Sequence, residues 1–168
     1  MIPWINSFKQ AATNNMADRA KAQQSLQVVV ERILAARRER VFRAWTDPVL
    51  MGKWFAPLDK EAVGVEAKAV VGGSYRIGMR GQDGSIEYVG GKYIEIKPPE
   101  RLVFTWAWES EPPELESQVT LEFYEQGDST RLVLTHQRLA TPERQESHRR
   151  GWVSCIQHLE MKISDGSI

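Results

Sequence analysis

Two histidines, His136 and His148, are the side chains best suited to do chemistry, because each lies on an otherwise apolar face of its predicted element. His136 alternates with Leu132 and Leu134 along a predicted strand, and His148 shares one helix face with Trp152. An imidazole among apolar groups must find a partner or lose its charge. The pair could hold a polar group of a ligand, or one ring could act as a general base. Alternatively, each ring bonds to a backbone carbonyl or to a water at a rim, and the sequence favours this structural interpretation.

Cysteine chemistry, metal binding and phosphate binding have little support in the sequence. Cys155, the single cysteine, faces apolar residues in the middle of a predicted helix, which is typical of an inert, buried thiol. His148 and Cys155 lie two helical turns apart, too far to share a metal ion without bending the helix. The glycine turns at Gly72-Gly73 and "GQDGS" do not precede helices as phosphate-binding loops do. We therefore expect no metal and no cofactor.

Carboxylates offer one further route to acid–base chemistry. Glu87 and Glu95 straddle Gly90-Gly91, where a bend could change the face of the sheet that a residue occupies. A carboxylate turned inward beside Tyr75 or His148 would resemble acid–base machinery. The sequence leaves this possibility open.

The elements that must position these residues begin with a strand and two short helices. The segment 25–34, "SLQVVVERIL", has a β-branched centre and predicts a strand. The segment 38–47, "RERVFRAWTD", predicts a helix, and Asp47-Pro48 is typical of an N-cap followed by proline at the start of a second helix. The second helix ends in Trp54 and Phe55, which we expect at the open end of a cavity as part of its lid.

Residues 61–137 predict an antiparallel meander. Segments of alternating apolar and polar residues are separated by turns, among them the hairpin signals at Asp83-Gly84 and at "QGDS" (126–129). Gly90-Gly91, in the middle of one segment, suggests a bulge or sharp bend in a curved sheet. Five or six consecutive strands with short turns follow one another in this region.

The last segment, Thr141 to Ser164, predicts one long helix with Thr141 as its N-cap and Pro142 in the first position. Its apolar stripe contains His148, Trp152, Cys155, Ile156, Leu159 and Ile163. A helix with one apolar stripe must bury it, and the concave face of the curved sheet is the available place. Such an arrangement tends to leave a gap between the helix and the sheet.

This order of elements, with "RVFRAWTDPVLMGKWFAP" (40–57), "VGGKYIEIKPPERLVFTWAWE" (89–109) and "HRRGWVSCIQHLE" (148–160), resembles the SRPBCC superfamily. The likeness is specifically to the AHSA-type branch, which is homologous to the C-terminal domain of the heat-shock ATPase activator. It implies an α+β helix-grip fold: a curved antiparallel sheet of about seven strands around a long C-terminal helix, with two short helices after strand 1. It also implies a deep apolar cavity between helix and sheet. We expect one such domain at 25–168, after an extension at 1–24 that is weakly ordered or helical.

Strand alternation and the helix stripe together predict the wall of that cavity. The predicted ligand-binding residues are Trp54, Phe55, Tyr75, Ile77, Met79, Phe104, Trp106, Trp108, Leu121, Phe123, His136, His148, Trp152 and Cys155. An aromatic wall with a few polar groups suits a flat apolar ligand that carries one or two polar atoms. The alternative is that the same aromatic side chains fill a solid core.

Composition limits the compartment and the partners. The 168 residues include 22 basic and 22 acidic side chains, so a net charge of zero gives no reason to expect nucleic acid or an anionic membrane as a partner. The sequence has no signal-peptide pattern, no apolar run of membrane-spanning length and a single cysteine, so we expect a cytoplasmic protein. Trp4, Ile5 and Phe8 could lay an apolar helix face on the domain or on a second copy, and exposed edge strands would also allow a homodimer.

Three functions follow from these patterns. The first, which the sequence favours, is a carrier, sensor or stress-related protein that binds a small hydrophobic or aromatic molecule in the cavity. The second is a cyclase, dehydratase or hydrolase that uses His136, His148 or Tyr75 there. The third is a module that contacts a chaperone, as the resemblance suggests, and it would need an outer surface rather than a cavity. A fold hosts functions through its sites, so the site must decide among them.

Overall fold

The computed structural model describes residues 16–19 and 26–168. Residues 16–19 form one helical turn with exposed side chains. The apolar contact predicted for Trp4, Ile5 and Phe8 lies outside the described residues. The strands are β1 (Val28–Leu34), β2 (Glu61–Ala67), β3 (Ser74–Arg80), β4 (Ile86–Lys97), β5 (Arg101–Trp108), β6 (Ser117–Gln126) and β7 (Ser129–Gln137). The helices that follow β1 are α1 (Arg38–Thr46), α2 (Pro48–Trp54) and the long α3 (Pro142–Ser164), and a 3-10 turn (Pro113–Leu115) precedes β6.

The corner between α1 and α2 forms as the sequence predicts. Asp47 ends α1 and caps α2, because its carboxylate Oδ1 accepts from the backbone N–H groups of Val49 (2.9 Å) and Leu50 (3.4 Å). Pro48 occupies the first turn, where a missing N–H removes no helical hydrogen bond. This cap fixes the direction in which the chain enters α2.

The seven strands form one antiparallel sheet in the order β1-β7-β6-β5-β4-β3-β2 within the described part of the chain. Each strand from β2 to β6 pairs with the next strand along the chain. The first strand, β1, pairs with the last strand, β7. Together with α3 this is the α+β helix-grip arrangement, and the prediction of the fold is confirmed.

Alternation along the strands places one face of the sheet in the core. The buried residues on this face include Tyr75, Ile77, Met79, Leu102, Phe104, Trp106, Val119, Leu121, Phe123, Leu132, Leu134 and His136. The faces assigned from the sequence are correct because a strand's side chains alternate with a period of two, whatever the strand pairs with.

The structure gives a reason for glycine at Gly91 that the sequence does not predict. The ladder between β4 and β5 keeps its register through both glycines, and the irregularity lies later, between Tyr93 and Glu95. A Cβ atom on Gly91 would lie 2.1 Å from the backbone oxygen of Thr105. Of the two predicted alternatives, a bulge or a sharp bend, a bulge at the glycines is therefore wrong. Gly91 is required because the β5 backbone approaches too closely for any side chain.

Helix α3 buries the predicted stripe. Trp152, Cys155, Ile156, Leu159 and Ile163 are buried, and His148 is half-buried near the N-terminal end of the stripe. Each large apolar side chain that is fully buried in this way stabilises the fold by about 1.5–3 kcal/mol.

Two further features of the helices agree with the sequence. Val153 and Met161, outside the stripe, are exposed, and the Thr141 hydroxyl caps α3 by accepting from the N–H of Arg144.

No helix among the described residues combines the length and the apolar character that crossing a membrane requires.

We expect Gly91→Ala to destabilise the protein by about 1–3 kcal/mol or more, because the new methyl group would overlap the β5 backbone. Gly52→Ala is the matched control: nothing lies within 4 Å of a Cβ there, and alanine is a better helix former, so stability should rise by up to about 1 kcal/mol. Urea denaturation of the three proteins measures both effects. Equal stability of the two variants would contradict the close approach.

Candidate functional site

A cleft of about 580 Å³ opens between the N-terminal half of α3, the sheet and the loop that follows α2. Its apolar wall consists of Met79, Trp106, Trp108, Trp152 and Cys155. Its rim carries charged and small polar side chains, namely Asp59, Lys60, Glu87, Glu111, Glu143, Arg144, Ser147, Arg150 and Ser154. An aromatic wall beneath a polar mouth is the general composition of a site for a small organic molecule.

His136 is fully buried and bonds through both ring nitrogens. The Trp152 indole Nε1–H donates to His136 Nδ1 at 2.9 Å, so Nδ1 must be the unprotonated nitrogen. His136 Nε2–H therefore donates to the Ser117 hydroxyl at 2.6 Å, and this hydroxyl donates to the Trp106 backbone carbonyl at 3.2 Å. One neutral tautomer thus satisfies a chain of bonds from α3 through β7 and β6 to β5.

His148 is held in a similar way at the cleft. Its Nδ1–H donates to the Arg144 backbone carbonyl at 2.7 Å, one helical turn earlier, and its Nε2 accepts from the Trp108 indole at 3.3 Å. The His136 and His148 rings meet edge to face with centroids 4.8 Å apart. Two indole–imidazole pairs, Trp152–His136 and Trp108–His148, therefore lie side by side between α3 and the sheet.

Burial lowers the pKa of both imidazoles. For His136 the pKa lies well below the ordinary value, because burial disfavours the charged ring and because a protonated His136 would be repelled by a protonated His148 and by Arg144. For His148 burial is again the main cause, partly offset by the bond to the Arg144 carbonyl. Both rings are neutral at physiological pH, and each lone pair is already taken by an indole. Neither ring is free to remove a proton in this arrangement. The bond to a backbone carbonyl that the sequence favours is present for His148, whereas buried His136 bonds an indole and a hydroxyl instead.

Tyr75 and Cys155 are not available for catalysis either. The Tyr75 hydroxyl donates to the Thr105 backbone carbonyl, and burial raises its pKa well above 10.0. Burial likewise raises the pKa of the Cys155 thiol, so the thiol stays protonated. Among the described residues, no group of three His, Cys, Asp or Glu side chains could hold a metal ion.

The structure brings six of the fourteen predicted ligand-binding residues to the cleft. These six are Met79, Trp106, Trp108, His148, Trp152 and Cys155. The other eight, Trp54, Phe55, Tyr75, Ile77, Phe104, Leu121, Phe123 and His136, are buried and do not line the cleft. Direct ligand contact by any of the fourteen stays a prediction.

Trp54 and Phe55 occupy a different place from the expected lid. Trp54 is fully buried and donates its indole N–H to the Ala44 backbone carbonyl at 2.9 Å. Phe55 stacks on Trp54 with centroids 4.7 Å apart, and it contacts the wall residues Trp106 and Trp152 at 6.3 Å and 6.0 Å between centroids. The two corner aromatics therefore support the wall from inside the core.

The residues of the rim are not predicted by the sequence. Glu111, in the loop after β5, forms an ion pair with Arg144 of α3, and Lys60 pairs with Glu87 of β4 at 3.1 Å. Glu87, one of the two carboxylates that could turn inward, lies at this rim. Glu95, the other candidate, pairs with Arg101 at 3.1 Å and does not line the cleft. The helical spacing of Arg144 and His148 was visible in the sequence, whereas the loop residues gave no signal.

Comparison with known proteins finds a family model that matches the part of the chain that forms the cleft. The family model described as "Activator of Hsp90 ATPase homolog 1-like protein" matches residues 35–162, which include every residue lining the cleft. A comparison with curated proteins finds no match.

Several solved structures share the fold. A protein from Chromobacterium violaceum is 27% identical, with a TM-score of 0.70 over 80% of this chain and 95% of that one. An AHSA1 protein from Silicibacter pomeroyi is 25% identical, with a TM-score of 0.73 over 82% of this chain and 97% of that one. CalU16 from Micromonospora echinospora is 27% identical, with a TM-score of 0.62 over 82% of this chain and 76% of that one.

The lowered pKa values of buried His136 and half-buried His148 predict a loss of stability on mild acidification. Because their pKa values are lower in the folded protein, the unfolded chain binds more protons once the pH falls below the ordinary imidazole pKa of about 6.5. Their contribution is fully present above that pH and declines as the pH falls towards the lowered folded-state values. Urea denaturation at several pH values from neutral downwards measures this decline.

His148→Gln should flatten that pH dependence, since one of the two titrating rings is gone. A His148 variant with an unchanged profile would contradict the assignment.

Proposed function

The chain belongs to the Activator of Hsp90 ATPase homolog 1-like family, and we propose that its cleft binds a small, planar, largely apolar molecule. The observation that carries this proposal is the aromatic wall of Trp106, Trp108 and Trp152 inside a cleft of about 580 Å³. A solid core would bring these indoles together without leaving such a volume beside them. Aromatic walls of this kind stack on flat ligands, and each such contact contributes about 0.5–1.5 kcal/mol beyond the area it buries.

The wall is also rigid, which favours binding. Trp152 and Trp108 are each held by an imidazole, and Trp106 packs against Trp152 with centroids 4.8 Å apart. Because these side chains are already ordered, a ligand does not have to pay for immobilising them, and more of the contact energy appears as affinity.

For the residues predicted to act as acids or bases, His136, His148 and Tyr75, the geometry fits binding better than catalysis. An enzyme would need a group able to accept or donate a proton near the ligand. The imidazole lone pairs of His136 and His148 accept from indoles, and the Tyr75 hydroxyl is bonded in the core. A carrier or sensor role needs none of these groups to be free.

Filling the cleft tests the proposal with little change to the fold. Gly151 lines the cleft on α3, and nothing lies within 4 Å of a Cβ built on it, so Gly151→Phe should place an aromatic ring in the cleft without a clash. With 1-anilinonaphthalene-8-sulfonate as a fluorescent probe, we expect affinity to fall by about tenfold or more, equivalent to about 1.4 kcal/mol. Thermal unfolding should remain near that of the wild type.

Val153→Phe is the matched control, since it adds a similar bulk on the exposed side of the same helix and does not line the cleft. This variant should bind the probe as the wild type does. Equal binding by all three proteins would show that the probe binds elsewhere and would contradict the proposal. Native mass spectrometry of the purified protein would complement the titration, because a mass lost on denaturation would be that of a bound molecule.

A further inference from the structure

Trp108 is the least confined of the three indoles in the cleft wall. Trp106 and Trp152 are buried, whereas Trp108, the last residue of β5, is half-buried. It lines the cleft and also a second hollow of about 420 Å³ beside Gly90 and Gly91. Open volume therefore adjoins this indole in two places, so packing restrains it less than it restrains the other two.

In the described part of the chain, one hydrogen bond holds the Trp108 side chain in the wall. Its indole Nε1–H donates to His148 Nε2 at 3.3 Å, which is longer than the 2.9 Å of the Trp152–His136 bond. Its ring also meets the Trp106 ring edge to face, with centroids 5.7 Å apart. The hydrogen bond exists only while His148 Nε2 carries a lone pair, because an indole N–H can donate but not accept.

A proton added to His148 would turn this attraction into repulsion. The Nδ1–H of the ring already donates to the Arg144 backbone carbonyl, so the added proton has only Nε2 to occupy. The N–H groups of the imidazolium and of the Trp108 indole would then face each other without a lone pair between them. The two rings cannot keep their present positions in that state.

The groups around His148 decide how readily it takes up a proton. Burial lowers its pKa, and so does the positive charge of Arg144 on the same helix, whereas the bond to the Arg144 carbonyl and the Glu111 carboxylate after β5 act in the opposite direction. From β7, the neutral ring of His136 meets the His148 ring with centroids 4.8 Å apart. The other charged residues that line the cleft are Asp59, Lys60, Glu87, Glu143 and Arg150.

We propose that the Trp108–His148 pair is an acid-sensitive latch: protonation of His148 releases the Trp108 indole from the cleft wall and weakens the binding of planar apolar molecules. The inference rests on the proposed function and adds its regulation by pH. A released indole must be immobilised again when a ligand stacks on it, and this lowers the affinity. Trp152 stays in place, because its partner His136 is fully buried and takes up a proton only at lower pH.

The uncharged probe N-phenyl-1-naphthylamine tests the latch. It has the aromatic skeleton of 1-anilinonaphthalene-8-sulfonate without the sulfonate, so it is not attracted to a protonated imidazole. Between about pH 7.5 and about pH 5, the affinity of the wild-type protein should fall by about threefold to tenfold. His148→Gln cannot gain the proton, and Trp108→Phe has no indole donor to release. In both variants the ratio of the affinities at the two pH values should approach one.

Glu143→Gln is the control for other sources of acid sensitivity, because it removes a carboxylate from the same rim and leaves the latch intact. It should keep the wild-type ratio, and circular dichroism checks that each protein is folded at both pH values. A folded wild-type protein with equal affinities would overturn the inference, as would a wild-type ratio in both latch variants or the loss of that ratio in Glu143→Gln. If the probe does not bind the wild type near neutral pH, the proposed function itself fails.

A second measurement needs no ligand, so it decides the latch independently of the proposed function. As the pH of the ¹⁵N-labelled protein is lowered, the Trp108 indole N–H signal should shift and exchange faster with water, at the same midpoint as the His148 ring. The Trp152 signal should not follow that midpoint, because its acceptor His136 stays neutral. A Trp108 signal that stays unmoved while His148 titrates would overturn the inference.

Discussion

The structure depends on a fully buried imidazole, His136 on β7, that must bond through both nitrogens. A single unsatisfied nitrogen there would cost about 1–3 kcal/mol. His136 meets the requirement by joining four elements: the indole of Trp152 on α3, its own strand β7, the hydroxyl of Ser117 on β6 and, through it, the Trp106 carbonyl on β5. Because neutral His136 has one tautomer that satisfies all three bonds, helix and sheet are held in one relative position. This series of hydrogen bonds makes the wall of the cleft rigid.

The same constraint explains why the aromatic residues line a cleft instead of closing it. Trp152 and Trp108 cannot rotate into the open volume without breaking a bond to an imidazole. Trp54 and Phe55 support the wall from the core side, where they pack against Trp45, Trp106 and Trp152. At the mouth, charged side chains keep the opening hydrated, and exposed pairs such as Lys60–Glu87 contribute only about 0–1 kcal/mol to stability. The site thus combines a rigid apolar wall with a mouth whose side chains can rearrange at little cost.

The sequence predicted features that depend on local physical chemistry. The Asp47 and Thr141 caps, the face of each strand and the stripe on α3 follow from spacing alone, and the structure has all of them. Features that depend on distant neighbours could not be predicted in this way. The reason for Gly91 became visible only with Thr105 on the adjacent strand, and the partners of the two imidazoles required knowledge of how α3 lies over β5 and β7. The rim combines loop residues, which have no periodicity, with polar residues of α3 that lie outside its apolar stripe. The sequence therefore identified much of the aromatic wall and missed the mouth.

The most direct test of the account is to follow the indole N–H resonances of the ¹⁵N-labelled protein while 1-anilinonaphthalene-8-sulfonate is added. The account predicts that the signals of the three wall indoles, Trp106, Trp108 and Trp152, move as the aromatic probe fills the cleft. The signal of Trp54, bonded to the Ala44 carbonyl in the core, should move less than these three. Saturable binding that leaves the three wall signals unmoved, or that shifts the Trp54 signal as much as theirs, would contradict the cleft as the binding site.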